Sequence, residues 1–198
     1  YFSDMMVGRI LKALRASKKD KNTMVIIHGD HGESIGQHHG ISSHGRTLYD
    51  DAIKVPLLIS IPKQKNPKAI ETPVGLIDVA PTVLDFLGIS IPKSMHGITL
   101  RSVIEGTQTT FNRHPVYLET WAWSLKNKYR LNLTGVVYKN HKLVKDVIAK
   151  THAMYDLKRD PSEKQNLLLE SEKNSASLFL ELGGYLEGWS DINIKQKN

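Results

Sequence analysis

The sequence of 198 residues predicts an α/β layer followed by a small antiparallel β-sheet with a closing C-terminal helix. Three observations support this fold class. An amphipathic helical pattern leads into a short, continuous apolar run, a pattern typical of a strand in a buried α/β sheet. A second apolar run follows about thirty residues later. Apolar and polar residues then alternate between turn signals over residues 116–157, which is typical of a half-exposed antiparallel sheet.

The first part of the chain, residues 1–110, is predicted to be the α/β portion. Residues Asp4–Ala16 carry apolar side chains at helical spacing, and Thr23–Ile27 forms the first apolar run. Thr47–Ile53 has the length of one or two helical turns, and Val55–Ile61 is the second apolar run. The order of helix, loop and strand predicts that the two strands are parallel and buried on both faces.

Further helices are predicted after a polar linker. Leu76–Leu87 forms a helix around an internal proline and ends at Gly88, and Ile98–Ile104 forms a shorter one. Residues 111–198 are predicted to be the small antiparallel sheet with its closing helix, and Lys139–Asn140 marks one of its turns. The closing helix is predicted over Ser175–Trp189.

Composition excludes several classes of protein. The net charge of +7 comes from scattered lysines that do not alternate with aromatic residues, so nucleic acid is not an expected partner. A basic surface attracts anionic substrates instead. Because the chain has no cysteine, it contains no disulfide, cysteine-based zinc site or thiol nucleophile. Apolar stretches end within about ten residues, well short of the ~20 that span a bilayer, so no membrane segment is expected.

The richest chemical signal follows the first predicted strand, in the run H-G-D-H-G-E-S-I-G-Q-H-H-G-I-S-S-H-G-R, where five His and five Gly fall within nineteen residues. This many glycines predict a loop, and ligands bind at the carboxyl ends of strands in open α/β sheets. Two residues separate Asp30 from the end of the strand. Asp30 and His31 are adjacent and lie between Gly29 and Gly32. A carboxylate and an imidazole on a sharply turning loop are predicted to bind a metal ion.

Four other histidines of the loop offer nitrogen ligands, namely His28, His38, His39 and His44. Together they favour zinc, iron or manganese, although adjacent residues such as His38 and His39 rarely reach the same pocket. His44 and Arg46 would stabilise a tetrahedral oxyanion if they lay near the metal. An ion pair with Asp50, four residues along a helix, is the favoured alternative for Arg46. Glu33 is expected either to orient a ligand or to cap the loop.

Several segments, in this order, resemble the C-terminal half of the sulfatase family within the alkaline-phosphatase-like superfamily. They are V-I-I-H-G-D-H-G-E-S-I-G-Q-H-H-G, H-G-R-T-L-Y-D-D-A-I-K-V-P-L-L-I, V-G-L-I-D-V-A-P-T-V-L-D-F-L-G-I, H-G-I-T-L and M-Y-D-L-K-R-D-P-S-E-K-Q-N-L. His96 replaces the acid that the family usually has in the fourth segment. The resemblance covers nearly the whole chain and implies part of the alkaline-phosphatase-like α/β sandwich.

The resemblance also implies roles for individual residues. Asp30 and His31 match the family's metal ligands, usually for calcium, although the imidazole also suits zinc or manganese. His44 matches the position that binds the sulfate group, where it would also be able to protonate the leaving alcohol as the catalytic acid. With Arg46 beside it, the expected partner is an anionic sulfate-ester substrate.

The family's nucleophile is a Cys or Ser that is converted to formylglycine within a C/S-x-P-x-R motif. No Ser in this chain is followed by x-P-x-R. We therefore expect the formylglycine, with an acidic pair completing the metal site, in a missing N-terminal half of the same protein. This chain alone is then expected to be inactive. In the intact enzyme, a formylglycine hydrate would attack sulfur while the metal and cationic side chains balance charge on the sulfate oxygens.

Three alternatives remain open at this point. One is a phosphoryl-transfer relative such as a phosphodiesterase, phosphonate hydrolase or phosphoethanolamine transferase, with a Thr nucleophile. Another is a module that binds an oxyanion or metal without chemistry. The third is an unrelated His-rich metallohydrolase, which would bind zinc tightly with this chain alone. The sequence does not reveal the substrate, the oligomeric state or the compartment, although sulfatases are commonly periplasmic, secreted or lysosomal.

Overall fold

The computed structural model describes residues 1–62, 64, 67–107, 114–124, 129–169 and 175–195. Its helices are α1 (Phe2–Ala16), α2 (Asp50–Ile53), α3 (Val79–Phe86), α4 (Arg101–Glu105) and α5 (Ser175–Lys195). Its strands are β1 (Val25–His28), β2 (Ser34–Ile35), β3 (Ser42–Ser43), β4 (Leu57–Ser60), β5 (Val116–Ser124), β6 (Tyr129–Tyr138), β7 (His141–Asp146) and β8 (Thr151–Asp156). Among the described helices, none is both long and apolar enough to cross a membrane.

The chain divides into two compact units. The first contains Tyr1–Asp30 and Val55–Ala69, and the second contains His31–Lys54 and Ile70–Asn198. The mixed α/β architecture with antiparallel sheets and a C-terminal helix confirms the predicted fold class. The predicted boundary between residues 110 and 111 lies outside the described residues and stays a prediction.

In the first unit, the prediction of two parallel strands buried on both faces is wrong. Strands β1 and β4 pair antiparallel, with Val25 opposite Ser60 and His28 opposite Leu57. The chain between them contains only the one-turn helix α2 and no crossover helix of the length that parallel strands usually need. Strand β4 alternates half-buried and exposed residues, and Leu58 is 57% exposed. The apolar run therefore marks a strand correctly but overstates its burial.

The second unit is built on an antiparallel meander in the order β5-β6-β7-β8. Its β6–β7 hairpin closes through Lys139 and Asn140, because Tyr138 is paired with His141. Lys139 has a φ of 54°, the left-handed conformation that a two-residue hairpin turn requires. This hairpin confirms the turn that was predicted from the sequence.

Helix α5 packs on the middle strands of this sheet and forms the core. Its residues Leu182 and Leu186 are buried among sheet residues such as Val136, Leu143 and Met154. The rings of Tyr117 and Trp189 add a parallel stack with centroids 4.4 Å apart, which attaches the helix to the edge strand β5. The closing helix continues to Lys195, six residues beyond its predicted end.

Helix α3 explains how a proline is tolerated inside the predicted helix. Pro81 is the third residue of α3, where a backbone N–H has no helical partner in any case. A 3₁₀ turn over Leu76–Asp78 supplies the start of the predicted segment, and Gly88, with a φ of 69°, ends it. Helix α4 begins three residues later than predicted because Ile98 donates its N–H to the Asp78 carboxylate instead of starting a helix.

Candidate active-site loop

The glycine- and histidine-rich segment folds as a miniature β-hairpin within the second unit. Strands β2 and β3 pair with Ser34 opposite Ser43 and Ile35 opposite Ser42. Gly36, with a φ of 96°, adopts a conformation that an L side chain disfavours, and its N–H donates to the carbonyl of Ile41. The register places the residues just outside the hairpin, Glu33 and His44, opposite one another.

Glu33 and His44 are joined by a short hydrogen bond. His44 Nδ1 lies 2.8 Å from Glu33 Oε2, and the side chains are 54% and 52% exposed. His31 lies against the same imidazole, with ring centroids 4.2 Å apart and an interplanar angle of 26°. The nitrogen and oxygen donor atoms of these three residues fall within 4.8 Å of one another, close enough to surround one metal ion. We call these residues the His31–Glu33–His44 cluster.

Each of the two imidazoles has an oxygen acceptor at Nδ1. His31 Nδ1 lies 2.8 Å from the carbonyl oxygen of Gly32, which only accepts hydrogen bonds. Nδ1 of His31 therefore carries the hydrogen of this bond. A carbonyl or carboxylate partner on the far nitrogen is typical of histidines that bind metals.

The other predicted site residues are divided between the two units, with His28 and Asp30 in the first and Arg46 in the second. Asp30 is exposed and directly precedes His31, and Arg46 is half-buried two residues after His44. His28 Nδ1 lies 2.8 Å from the carbonyl oxygen of its neighbour Gly29. The metal-binding and substrate-binding roles of these residues stay predictions.

His38 and His39 are held elsewhere in the loop. The ring of His38 stacks on Tyr49 with centroids 3.7 Å apart, and the ring of His39 is tilted toward Tyr49 at 6.5 Å. Among the described residues, neither belongs to the His31–Glu33–His44 cluster. Of the histidines in the second unit, the structure therefore brings His44 beside His31 and holds His38 and His39 against Tyr49.

Both arms of the hairpin are attached to neighbouring elements. Gly32 donates its N–H to the carbonyl of Ala52 at 2.8 Å, and Ser34 Oγ donates to Asp51 Oδ1 at 3.0 Å. These two bonds fix the backbone on either side of Glu33 against α2. On the other arm, Thr120 Oγ1 of strand β5 donates to the carbonyl of Gly45, the residue after His44, at 2.8 Å.

Helix α2 is itself anchored by a buried ionic network that the sequence analysis did not find. Lys142 of strand β7 is fully buried, and its ammonium lies 2.6 Å from Asp50 Oδ1 and 2.7 Å from Glu163 Oε1. It also donates to the carbonyl of Leu48 at 3.0 Å. The ammonium thus donates hydrogen bonds to Leu48 and Asp50 and forms an ion pair with Glu163. We call Asp50, Lys142 and Glu163 the Lys142 network.

Glu163 completes the anchor at the start of α2. Its Oε2 accepts a hydrogen bond from the backbone N–H of Asp50 at 2.6 Å, which satisfies one of the free N–H groups of the helix terminus. Burial raises the pKa of Glu163, and this effect is opposed by the positive charge of Lys142. Glu163 stands in the D-P-S-E motif, which carries part of the resemblance but does not reveal a partner 113 residues away.

Chemically, the loop suits a divalent cation beside a sulfate-like anion. Asp30 carries a carboxylate and His31 an imidazole, a mixed oxygen and nitrogen donor set that suits zinc or manganese at least as well as calcium. His44 Nε2 and the Arg46 guanidinium are groups that bind tetrahedral oxyanions. The residues present therefore fit the metal that the resemblance implies.

Comparison with known proteins gives a consistent result. The family model described as "N-sulphoglucosamine sulphohydrolase, C-terminal" matches residues 37–187. The uncharacterized sulfatase YidJ of Escherichia coli is 32% identical over 169 residues, which cover 84% of this chain and 32% of that protein. An arylsulfatase of Clostridium perfringens is 31% identical over 200 residues, which cover 96% of this chain and 40% of that protein.

The fold agrees with the same group of proteins. The structure of BT4656 in complex with its substrate D-glucosamine-2-N,6-O-disulfate superposes with a TM-score of 0.76 at 27% identity. The superposition covers 95% of this chain and 38% of that one. The chain thus spans about a third to two fifths of the length of the relatives it matches.

Proposed function

This chain belongs to the sulfatase family, and on that premise we propose that it is the C-terminal part of a metal-dependent sulfuric ester hydrolase. The observation that carries the proposal is the His31–Glu33–His44 cluster. It places two imidazoles side by side on an anchored hairpin, each with Nδ1 occupied by an oxygen acceptor. Such a pair serves to bind a cation and an anion next to each other.

Asp30 and His31 are the proposed metal ligands. Their carboxylate and imidazole groups would hold a divalent cation, with calcium expected from the resemblance and zinc or manganese favoured by the imidazole. When bound, the cation would supply positive charge to the oxygens of the sulfate group. Further ligands, and the formylglycine nucleophile, would come from the N-terminal half of the same protein. The chain alone would then bind substrate weakly and would not turn it over.

His44 is proposed to contact the reacting group. Through Nε2 it would bind the sulfate oxygens or deliver a proton to the leaving alcohol. Arg46 would add positive charge that favours an anionic substrate over a neutral one. The substrate of BT4656 is a sulfated glucosamine, so sulfated amino sugars are the first natural substrates to test.

His44→Ala tests this proposal in the full-length product of the reading frame that encodes this chain. We expect kcat for 4-nitrophenyl sulfate to fall by about 10²-fold, because a hydrogen-bonding group at the reacting sulfate is lost. His114→Ala, which removes an exposed histidine from the segment before β5, is the matched control and should leave kcat unchanged. Sulfate-ester turnover at the wild-type rate in His44→Ala would refute the assigned role.

A further inference from the structure

We propose that Glu33 is a positioning residue that holds the imidazole of His44 by Nδ1 and thereby turns Nε2 toward the substrate. The proposal deepens the proposed function and depends on it for what Nε2 contacts. The orientation itself depends only on the geometry of the loop. Of the two roles expected for Glu33, orienting a ligand or capping the loop, the hydrogen bond to His44 favours the first.

The hydrogen bond fixes which nitrogen carries hydrogen. A carboxylate oxygen accepts hydrogen bonds and does not donate them, so the 2.8 Å contact places a hydrogen on Nδ1 of His44. Nε2 lies on the other side of the ring and is left for a ligand or substrate. Because the bound partner of one ring nitrogen sets the role of the other, Glu33 decides which atom His44 presents.

Both backbones are fixed independently of this bond. Glu33 lies between Gly32 and Ser34, and both of these residues hydrogen-bond to residues of α2. His44 precedes Gly45, whose carbonyl is bonded to Thr120. The side-chain bond is therefore not needed to close the hairpin, and its removal leaves the scaffold in place.

The remaining freedom of His44 is rotation of its ring. His31 covers one face of the imidazole at 4.2 Å, and Glu33 holds one edge. With face and edge both restrained, one ring orientation is favoured. Without the carboxylate, the ring of His44 would remain stacked on His31. It would be free to turn over in its plane of stacking, so that either Nδ1 or Nε2 faces the substrate.

Because the side chains of Glu33 and His44 are exposed, an effect of their bond on the orientation of the His44 ring can be distinguished from an effect on folding stability. Since both side chains are about half exposed, solvent screens their ion pair, and the pair contributes little to folding. If the pair had only a structural role, its removal would therefore change little in folding or in kcat. A positioning residue would instead leave a spectroscopic change at His44 and a loss of kcat with no matching change in folding.

The test compares Glu33→Ala with Glu33→Gln, whose amide oxygen still accepts a hydrogen bond from Nδ1. Nitrogen-15 NMR of the full chain, at about two pH units above the ordinary histidine pKa, reports which ring nitrogen of His44 carries hydrogen. We expect the Nδ1–H form in the wild type and in Glu33→Gln. In Glu33→Ala we expect a shift toward the Nε2–H form that predominates in free histidine. Glu71→Ala, an exposed carboxylate outside the loop, is the control.

Kinetics of the full-length protein complete the test. Glu33→Ala should lower kcat for 4-nitrophenyl sulfate by about 10-fold with a smaller change in KM, and Glu33→Gln should recover most of the loss. An unchanged Nδ1–H form in Glu33→Ala would overturn the proposal. So would an unchanged kcat in Glu33→Ala where His44→Ala is impaired. If the His44 form shifts but His44→Ala itself keeps full activity, the proposed function fails and the orientation by Glu33 stands.

Discussion

Replacing Lys142 with methionine is expected to lower the free energy of unfolding by about 3–5 kcal/mol, because it leaves the buried carboxylate of Glu163 and the partly buried carboxylate of Asp50 without this cation. Lys142 is fully buried between Asp50 and Glu163, and methionine fills the space without the charge. Chemical denaturation of the full chain measures the loss. Lys139→Met is the matched control, because Lys139 is 68% exposed and only 3.9 Å from its partner Glu181. The control should change stability by less than about 1 kcal/mol.

The loss in Lys142→Met should also depend on pH. Burial already raises the pKa of Glu163 in the folded protein, and removing Lys142 raises it further. A carboxyl group with a higher pKa in the folded state costs stability as pH rises, because the unfolded state ionises first. The deficit should therefore be smallest below about pH 4 and grow as pH rises through the folded pKa of Glu163. A deficit that is equal at pH 4 and pH 7 would contradict this account of the network.

Gly32→Ala is expected to lower the free energy of unfolding by about 3 kcal/mol, because the new methyl group would overlap the carbonyl oxygen of Asp51. The overlap is with backbone atoms, so no side-chain rotation relieves it. It would also separate Gly32 from Ala52 and break the hydrogen bond that fixes the hairpin to α2. Since Gly32 lies between His31 and Glu33, the His31–Glu33–His44 cluster should be displaced together with the loop.

Thermal or chemical denaturation of Gly32→Ala measures this loss against Gly184→Ala. Gly184 lies within α5, and a methyl group added there meets no atom within 4 Å. Alanine in an open helical position should raise stability by about 0.5–1 kcal/mol. NMR shifts of the His44 ring in the two variants then report on the loop. A stable Gly32→Ala with an unchanged His44 signal would show that the close approach to Asp51 is unnecessary.

Local patterns predicted the fold where the physical signal is local. The turn at Lys139–Asn140 and the helix of the C-terminal segment follow from short-range preferences, and both are present. The direction of β1 relative to β4 could not be predicted, because an apolar run marks a strand without stating which way its neighbour runs. The hairpin formed by β2 and β3 was missed because two-residue strands are too short to show alternation.

For the candidate site, too, the sequence predicted the residue types but not the contacts between them. The histidines were visible as residue types at a predicted strand end, and the structure brings His31 and His44 together. The pairing of His44 with Glu33 depends on hairpin register, which composition does not specify. The Lys142 network joins positions 92 and 113 residues apart along the chain, so no local pattern could have revealed it.

Turnover of two matched esters by the full-length protein tests the central claim most directly. The claim is that the loop carrying Asp30, His31 and His44 belongs to the active site of a sulfuric ester hydrolase. We predict that kcat/KM for 4-nitrophenyl sulfate exceeds that for a 4-nitrophenyl phosphonate monoester by at least about tenfold. A preference for the phosphonate ester would make the protein a phosphoryl-transfer relative, and turnover of neither ester would contradict a hydrolytic role.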